Sequence, residues 1–314
     1  MRAAIIDEYG PADNCYVREV ARPTCGDNQV LVRVRAAGVN PIDWRIRKGS
    51  MRMLLPARFP LVLGFDVAGA IVEVGRQAKD KGWQVGDEVL SFLDNRHGGG
   101  YAEFAVAGAD VLARKPPDVS FTDAAAVPLA ASTALQALGD HGKLQRGQDL
   151  LINGASGGVG SFAVQIGKAM GAKVTGVCSE SNLDFVRQLG ADQVVDYHCE
   201  DFTNGSYRYN TILDAVAKSS YWKCRRVLRP RGCYIRTVPS IGSMTFQCLN
   251  LFLDRRCRNI LARPRSEDLQ EIAQLMADGK LRPVVQKVYP LEEAATAHHV
   301  SEAGHVRGKL VLSI

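Results

Sequence analysis

Residues 29–37 read QVLVRVRAA, apolar and polar side chains alternating with a period of two, most clearly from Val32 to Ala36. A period of two predicts a strand with one face in a core and the other in water. Residues 67–74 (VAGAIVEV), 88–92 and 101–107 continue the texture, divided by Gly75 and by the Gly86-Asp87 turn. The opening residues 1–7 also read as a strand. Many short strands with turn signals between them predict a small barrel or sandwich over residues 1–122. One helix interrupts it: Asn40 is a good N-cap, Pro41 suits the first helical position, and Gly49 stops the segment.

From Phe121 onward the period changes. Residues 124–126 and 129–138 read as helix. Strand 150–153, helix 161–170, strand 173–178 and helix 182–189 then alternate, followed by strands at 193–196, 211–215 and 233–238. That succession predicts an α/β doubly wound parallel sheet with helices on both faces. The tail has a helix at 266–278 ended by Gly279, a strand at 284–289, another helix and a last strand at 309–314. No repeat or low-complexity linker interrupts the chain.

The bulk numbers narrow the classes. A chain of 314 residues suits two domains, and 46% apolar with 23% charged residues is ordinary for a globular protein. The net charge of +6 includes clusters at Arg45-Arg47-Lys48 and Arg255-Arg256-Arg258. A nucleic-acid partner calls for a basic stripe with interleaved aromatics, so none is expected. The eight cysteines form no CxxC pair and have no His at metal spacing, which points to a reducing compartment and a cytoplasmic protein. No apolar run approaches membrane-spanning length, and the N-terminus reads as a strand rather than a signal peptide.

The candidate chemistry begins at residues 150–160, LLINGASGGVG. A buried strand, a glycine-rich turn and an amphipathic helix place a pyrophosphate on free backbone N–H groups at a helix N-terminus. Ala155, Ser156, Gly157, Gly158 and Val159 form that turn, and Gly160 lets the helix pack close to the strand. Ala155 stands where the dinucleotide fingerprint usually has its first glycine. About twenty residues on, an NAD site usually carries an acid for the adenosine ribose. Here the second strand ends in Cys178 and Ser179, which leave room for a 2′-phosphate and predict NADPH. Glu180, one step further, is the alternative acid.

Four stretches carry a family resemblance: AGVNPID at 37–43 with Arg47-Lys48-Gly49, GFDVAG at 64–69 with Gly86-Asp87, the glycine turn, and Gly190-Ala191-Asp192 with Asp196-Tyr197. In this order and spacing the chain resembles the medium-chain dehydrogenase/reductase superfamily, in its zinc-free, zeta-crystallin-like quinone oxidoreductase branch. Residues 40–60 look closer still to chloroplast-envelope quinone oxidoreductase homologues and chloroplast enone reductases. The resemblance implies a GroES-like, β-rich catalytic domain in two pieces, 1–122 and 263–314, around a Rossmann domain at 123–262. The active site would lie in the cleft between them.

Zinc-dependent members hold the metal with a Cys and a His at places here taken by Asn40 and Phe65, and residues 94–100 contain His97 but no Cys. A phenyl ring cannot ligate a metal and an amide is a poor zinc ligand, so no metal is expected. Alcohol oxidation thereby loses its electrophile. A quinone or α,β-unsaturated carbonyl spreads the incoming charge itself, and the Asn40 amide with a cofactor hydroxyl would form a modest oxyanion site. Asn40 is open to two readings, a helix cap or a group facing nicotinamide ribose and substrate, and the two are compatible. Asp43 either tunes Asn40 or favours the first helical turn through the dipole.

The resemblance places the remaining candidates. Thr133 lies near the nicotinamide, or its hydroxyl bonds back to its own helix. Tyr197 contacts the 2′-phosphate, with Asn182 where relatives often carry Lys. Val216 and Val238 follow the fourth and fifth strands, on the cofactor edge. Lys309 and Arg307 stand near the pyrophosphate, or are solvated charges. His298-His299 reads as surface or helix-end dipole rather than metal site. Substrate-lining residues are expected from 44–60 and 244–254. These readings converge on a homodimeric, NADPH-dependent reductase of quinones or enones. The alternatives are an enoyl reductase acting on a biosynthetic thioester and an NADPH-binding protein of structural or sensory role.

Overall fold

The alternating run becomes an eleven-residue strand, Gln29–Val39, in the computed structural model, which describes residues 1–53, 55–96, 98–238, 241–248 and 254–314. His97, and Leu54 and residues 249–253 of the expected substrate lining, lie outside the described residues. Two compact units divide the chain: Met1–Ala130 with Pro264–Ile314, and Ala131–Arg263.

The chain enters the first unit through β1 (Arg2–Ile6), β2 (Tyr16–Glu19) and β3 (Gln29–Val39), turns through α1 (Pro41–Arg47), and continues as β4 (Leu61–Val62) and β5 (Asp66–Val74). Then come α2 (Arg76–Asp80), β6 (Glu88–Phe92), β7 (Phe104–Gly108), β8 (Leu112–Arg114), α3 (Phe121–Ala125) and α4 (Pro128–Gln136). The second unit holds β9 (Asp149–Asn153), α5 (Gly158–Ala169), β10 (Lys173–Cys178), α6 (Leu183–Gln188), β11 (Gln193–Asp196), β12 (Tyr209–Asp214), α7 (Tyr221–Arg225), β13 (Leu228–Arg236), α8 (Ile241–Cys248) and β14 (Arg256–Asn259). The chain returns to the first unit with α9 (Ser266–Ala277), β15 (Val285–Pro290), α10 (Ala294–Ala303) and β16 (Lys309–Ser313).

Among the described residues the first unit has a small sheet, β2-β1-β4, and a larger one in the order β15-β16-β3-β5-β6-β8, with β7 also paired to β3. Val30, Val32 and Val34 point inward onto Val67, Ile71, Val89, Ala105 and Leu112. Arg33 and Arg35 take the wet face, as the period of two requires. Each buried Val or Ile contributes roughly 1.5–3 kcal/mol by leaving water, so the inward row outweighs any single turn. The antiparallel pairing β16–β3 sets Leu310 opposite Val39, so Lys309 comes to the end of β3 from the far end of the chain.

The second unit's sheet runs β11-β10-β9-β12-β13-β14, all parallel. β9 is buried along its whole length, as expected of a strand covered on both faces. This is the doubly wound α/β fold, and the first unit is the β-rich one that the resemblance leads us to expect as GroES-like.

Several boundaries differ from the sequence pattern for physical reasons. α5 starts at Gly158, three residues before the expected 161, because Gly157 is the N-cap and the first-turn amides need no acceptor. Strand 101–107 begins only at Phe104, because the Tyr101 side chain turns inward to a buried carboxylate. β14, RCRN, shows no apolar period, and α7 is barely one turn long, so neither was legible.

Candidate functional site

β3 ends at Val39 and Pro41 starts α1, leaving Asn40 extended between them at φ −127 and ψ 152. Its backbone N–H donates to Asp43 Oδ2 at 2.8 Å, and its carbonyl accepts the Asp43 N–H at 3.0 Å. The Asn40 side chain also has partners outside this cap. Its Nδ2 donates to Asp66 Oδ2 at 2.8 Å, and its Oδ1 accepts from the Lys309 ammonium at 2.5 Å. The backbone thus starts the helix, while the amide is held by Asp66 and Lys309.

Lys309 Nζ also donates to Val39 O at 3.2 Å and lies 3.5 Å from Asp66 Oδ2. Asp66 Oδ1 accepts the Leu129 N–H at 2.7 Å. Asn40, Asp43, Asp66 and Lys309 are all buried. Arg307 is exposed, with its backbone N–H on Gln286 Oε1 at 2.6 Å.

One ammonium thus faces two buried carboxylates. Burial pushes Asp43 up from 3.8 to about 7, against the Asn40 N–H and the Tyr101 hydroxyl, which favour its charged form. Burial also raises Asp66, against the pull of Lys309, and lowers Lys309, against the pull of Asp66 and Asp43. Asp43 Oδ1 is buried without a hydrogen-bond partner among the described residues.

His298 corrects a sequence expectation. It is fully buried on α10 rather than at the surface, and burial lowers it from 6.5 to about 3, so the ring is neutral. Its Nδ1 lies 3.2 Å from Arg47 Nε, and its Nε2 lies 3.4 Å from the Tyr101 hydroxyl. Tyr101 donates to Asp43 Oδ2 at 2.8 Å. Arg47, also fully buried, donates further to Gly10 O at 2.6 Å and to Glu302 Oε2 at 2.5 Å. Gly64, at φ +96, makes room for Tyr101, since a Cβ there would stand 2.3 Å from its ring. Only His299 is exposed, 2.9 Å from Asp13.

Zinc does not fit this cluster. An ammonium already bonds the Asn40 oxygen, Phe65 is buried edge-on against Phe92, and a dication would meet Lys309 as a like charge.

In the second unit, strand register lines up Asn153, Cys178, Asp196, Asp214 and Arg236 at the carboxyl ends of β9 to β13. The residues that follow therefore share one edge of the sheet. The Gly154 and Ala155 N–H groups both donate to Val177 O at 3.0 Å, drawing the glycine turn over β10. The first-turn amides of α5, at Gly158, Val159 and Gly160, precede its first internal bond, from Ser161 N–H to Gly157 O. A Cβ at Gly160 would stand 2.0 Å from Gly154 O, which makes this a cradle for close backbone approach. An anion fits here.

Cys178 is buried, and Ser179 is half-buried with its Oγ accepting from Asn182 Nδ2 at 2.9 Å. The Tyr197 N–H donates to Cys178 O at 3.2 Å, bringing its exposed ring to the same corner. Val216 is exposed beside Gly154, where an added Cβ would meet its Cγ1 at 2.5 Å. Val238 is half-buried and its carbonyl accepts from Arg236 Nε at 2.8 Å. Thr133, buried on α4, belongs to the same unit.

Comparison with known proteins decides the family. Residues 26–117 match the alcohol dehydrogenase GroES-like domain, and residues 189–312 match the zinc-binding dehydrogenase family. The chloroplast envelope quinone oxidoreductase homolog of Arabidopsis thaliana is 34% identical over 94% of this chain and 92% of its own length. The chain belongs to the medium-chain dehydrogenase/reductase superfamily. Its similarity extends to the 2-methylene-furan-3-one reductase of Solanum lycopersicum, 29% identical over 99% of this chain and 79% of that protein. Among solved structures, the quinone oxidoreductase from Coxiella burnetii superposes with a TM-score of 0.92 at 33% identity, covering 100% of this chain and 99% of that one. The Escherichia coli quinone oxidoreductase complexed with NADPH gives 0.86 at 25% identity, with both chains fully covered.

Within this superfamily member, sequence reasoning missed Asp66, Tyr101, His298 and the Asp214–Arg236 pair. Asp214 is buried and holds Asn153 Nδ2 at 2.9 Å, the Ser219 N–H at 2.9 Å and the Tyr234 hydroxyl at 2.8 Å. Arg236 donates to Ala217 O at 2.6 Å and Ser219 O at 3.3 Å, so the loops after β12 and β13 are tied together. The available signal was an acid in or ending an otherwise apolar strand, at Asp66 and at Asp214.

Proposed function

We propose that this chain is an NADPH-dependent, zinc-independent reductase that delivers hydride to a quinone or an α,β-unsaturated carbonyl. The observation that carries the reading is the Asn40 amide, fixed between the Lys309 ammonium and the Asp66 carboxylate at the place where relatives hold metal. NADPH, when bound, supplies the hydride, and water supplies the proton that completes the reduction.

The chain's own residues bind and orient. The amides of Ser156, Gly158 and Val159, at the N-terminus of α5, hold the pyrophosphate. Ser179, Asn182 and Tyr197 hold the 2′-phosphate, with the exposed Glu180 the alternative acid for the ribose. Val216 and Val238 present apolar surface to the nicotinamide, with Thr133 beside it. The Lys309 charge pulls electron density toward the Asn40 oxygen, so the remaining Nδ2 hydrogen becomes a better donor to a substrate oxygen that gains charge. Hydride capture by a conjugated acceptor asks no more, because the π-system spreads the charge. We also propose that the protein is a cytoplasmic homodimer.

The test is NADPH oxidation over a panel of a quinone, a small enone, a crotonyl thioester and a simple ketone. Turnover of the first two with none of the ketone is expected. Preference for the thioester would replace the substrate class, and tight NADPH binding without turnover of any acceptor would end the enzymatic reading.

A further inference from the structure

The carboxylate that holds the Asn40 backbone N–H is also served by a line of donors from the C-terminal helix. Arg47 carries only donors, so its Nε–H, 3.2 Å from His298 Nδ1, makes that nitrogen an acceptor and leaves the ring proton on Nε2. Nε2–H faces the Tyr101 oxygen at 3.4 Å, and the Tyr101 hydroxyl is left to donate to Asp43 Oδ2 at 2.8 Å. Every bond in the line therefore points the same way, from Arg47 to Asp43. Arg47 is held in turn by Gly10 O and Glu302.

We infer that His298 and Tyr101 are positioning residues for Asn40: they carry a one-way line of hydrogen bonds from α10 to the Asp43 carboxylate that anchors the Asn40 backbone. The inference rests on the proposed role of Asn40 toward a substrate oxygen.

The groups that face Asp43 are Asp66 on β5, Lys309 on β16, Tyr101 before β7 and the buried Cys15 thiol before β2, with Arg47 on α1 beyond Cys15 and His298. Of these Lys309 and Tyr101 favour its charged form, and Asp66 opposes it. Without the Tyr101 hydroxyl, Asp43 Oδ2 keeps the Asn40 N–H as its partner among the described residues, and the protonated form gains. A protonated carboxyl is a weaker acceptor, so the Asn40 backbone loses part of its anchor. His298 acts one step back, by fixing the direction in which Tyr101 donates.

The experiment is infrared difference spectroscopy of the full chain, without substrate, from about pH 5 to about pH 9, where a neutral-range carboxyl titrates. Asp43→Asn identifies the carboxylic C=O band. Tyr101→Phe and His298→Leu are each expected to raise its midpoint by about one pH unit. His298→Gln, whose amide still offers an N–H to Tyr101, is expected to return it part of the way. One midpoint shared by wild type and all three variants overturns the inference. Tyr101→Phe removes a single atom, so it carries the test even where His298→Leu fails to fold. In NADPH oxidation the same two variants should lower kcat about tenfold with KM for NADPH unchanged, the signature of lost transition-state contact. Should wild type reduce no acceptor, the proposed function falls, and the infrared midpoints still decide the positioning role.

Discussion

Lys309 Nζ lies 2.5 Å from Asn40 Oδ1, and both side chains are buried. The ammonium polarises the amide and at the same time neutralises Asp66, 3.5 Å away. Lys309→Met keeps the length of the side chain and removes the charge. It leaves Asp66 a buried carboxylate without its cation, which should cost about 3–5 kcal/mol in a urea melt. Adding Asp66→Asn should recover most of that stability, since the carboxylate nearest the lost ammonium is then neutral. It should not recover NADPH oxidation. Full turnover by the double variant would assign Lys309 to the fold alone.

Asp43 and His298 pull the pH dependence of stability in opposite directions. Asp43 rises from 3.8 to about 7 on folding, so the folded chain keeps a proton that the unfolded chain releases. Its contribution is full below 3.8 and is lost as pH rises toward 7. His298 falls from 6.5 to about 3, so the unfolded chain binds a proton that the folded chain refuses. Its contribution is full above 6.5 and is lost as pH drops toward 3. Displacements of this size are each worth roughly 4 kcal/mol. Between 3.8 and 6.5 the two oppose, and their sum in wild type should be nearly flat. His298→Gln should leave stability falling with pH across that window, and Asp43→Asn should leave it rising. Melts of both variants across the window read the two slopes, and slopes of the same sign would contradict the assignment.

Local pattern carried much of this fold into view. The alternation that made β3, the Asn40-Pro41 helix start and the glycine turn are each written within a few neighbouring residues. The buried line to Asp43 is not. His298 meets Arg47 across 251 positions of sequence and Tyr101 across 197, and no periodicity spans such separations. An HH pair near a helix end carries the same local signal whether a ring lies in solvent or in a core. The Lys309 charge was visible, but its partner depended on the β16–β3 register, which only the folded sheet sets. Asp66 was legible as an acid at the head of an apolar strand, though not what it would bond.

Gly157 and Gly160 should separate binding from folding. A Cβ at Gly160 would stand 2.0 Å from Gly154 O, a backbone atom with nowhere to go. Gly160→Ala should therefore destabilise the chain by about 1–3 kcal/mol, as forced overpacking does. A Cβ at Gly157 would meet only Gly154 O, at 3.5 Å, and its φ of −82 suits any residue. Gly157→Ala should leave the melt within about 1 kcal/mol of wild type, the usual range for a lost N-cap preference. It should still weaken NADPH binding by about tenfold, because the methyl faces the anion cradle. Calorimetric binding with the melt of each variant tests the split, and a Gly157→Ala protein that binds NADPH as wild type does would remove the cradle from the site.

Cofactor choice turns on the corner where Ser179 meets Asn182 and Tyr197. The Ser179 hydroxyl and the Asn182 amide are 2.9 Å apart and carry no charge, so both can donate to a 2′-phosphate. Wild type should use NADPH over NADH by about tenfold or more in kcat/KM. Ser179→Asp puts a carboxylate beside the phosphate, where like charges a few ångströms apart repel by about 1–4 kcal/mol. The variant should lose NADPH efficiency by about ten- to a hundredfold and keep or gain NADH efficiency, because the new acid can accept from the ribose hydroxyls. Tyr197→Phe, which removes one hydroxyl from an exposed ring, should cost NADPH only a fewfold. If Ser179→Asp slows both cofactors equally, the residue shapes the turn without reading the phosphate, and the preference has to come from a charge elsewhere on the same edge.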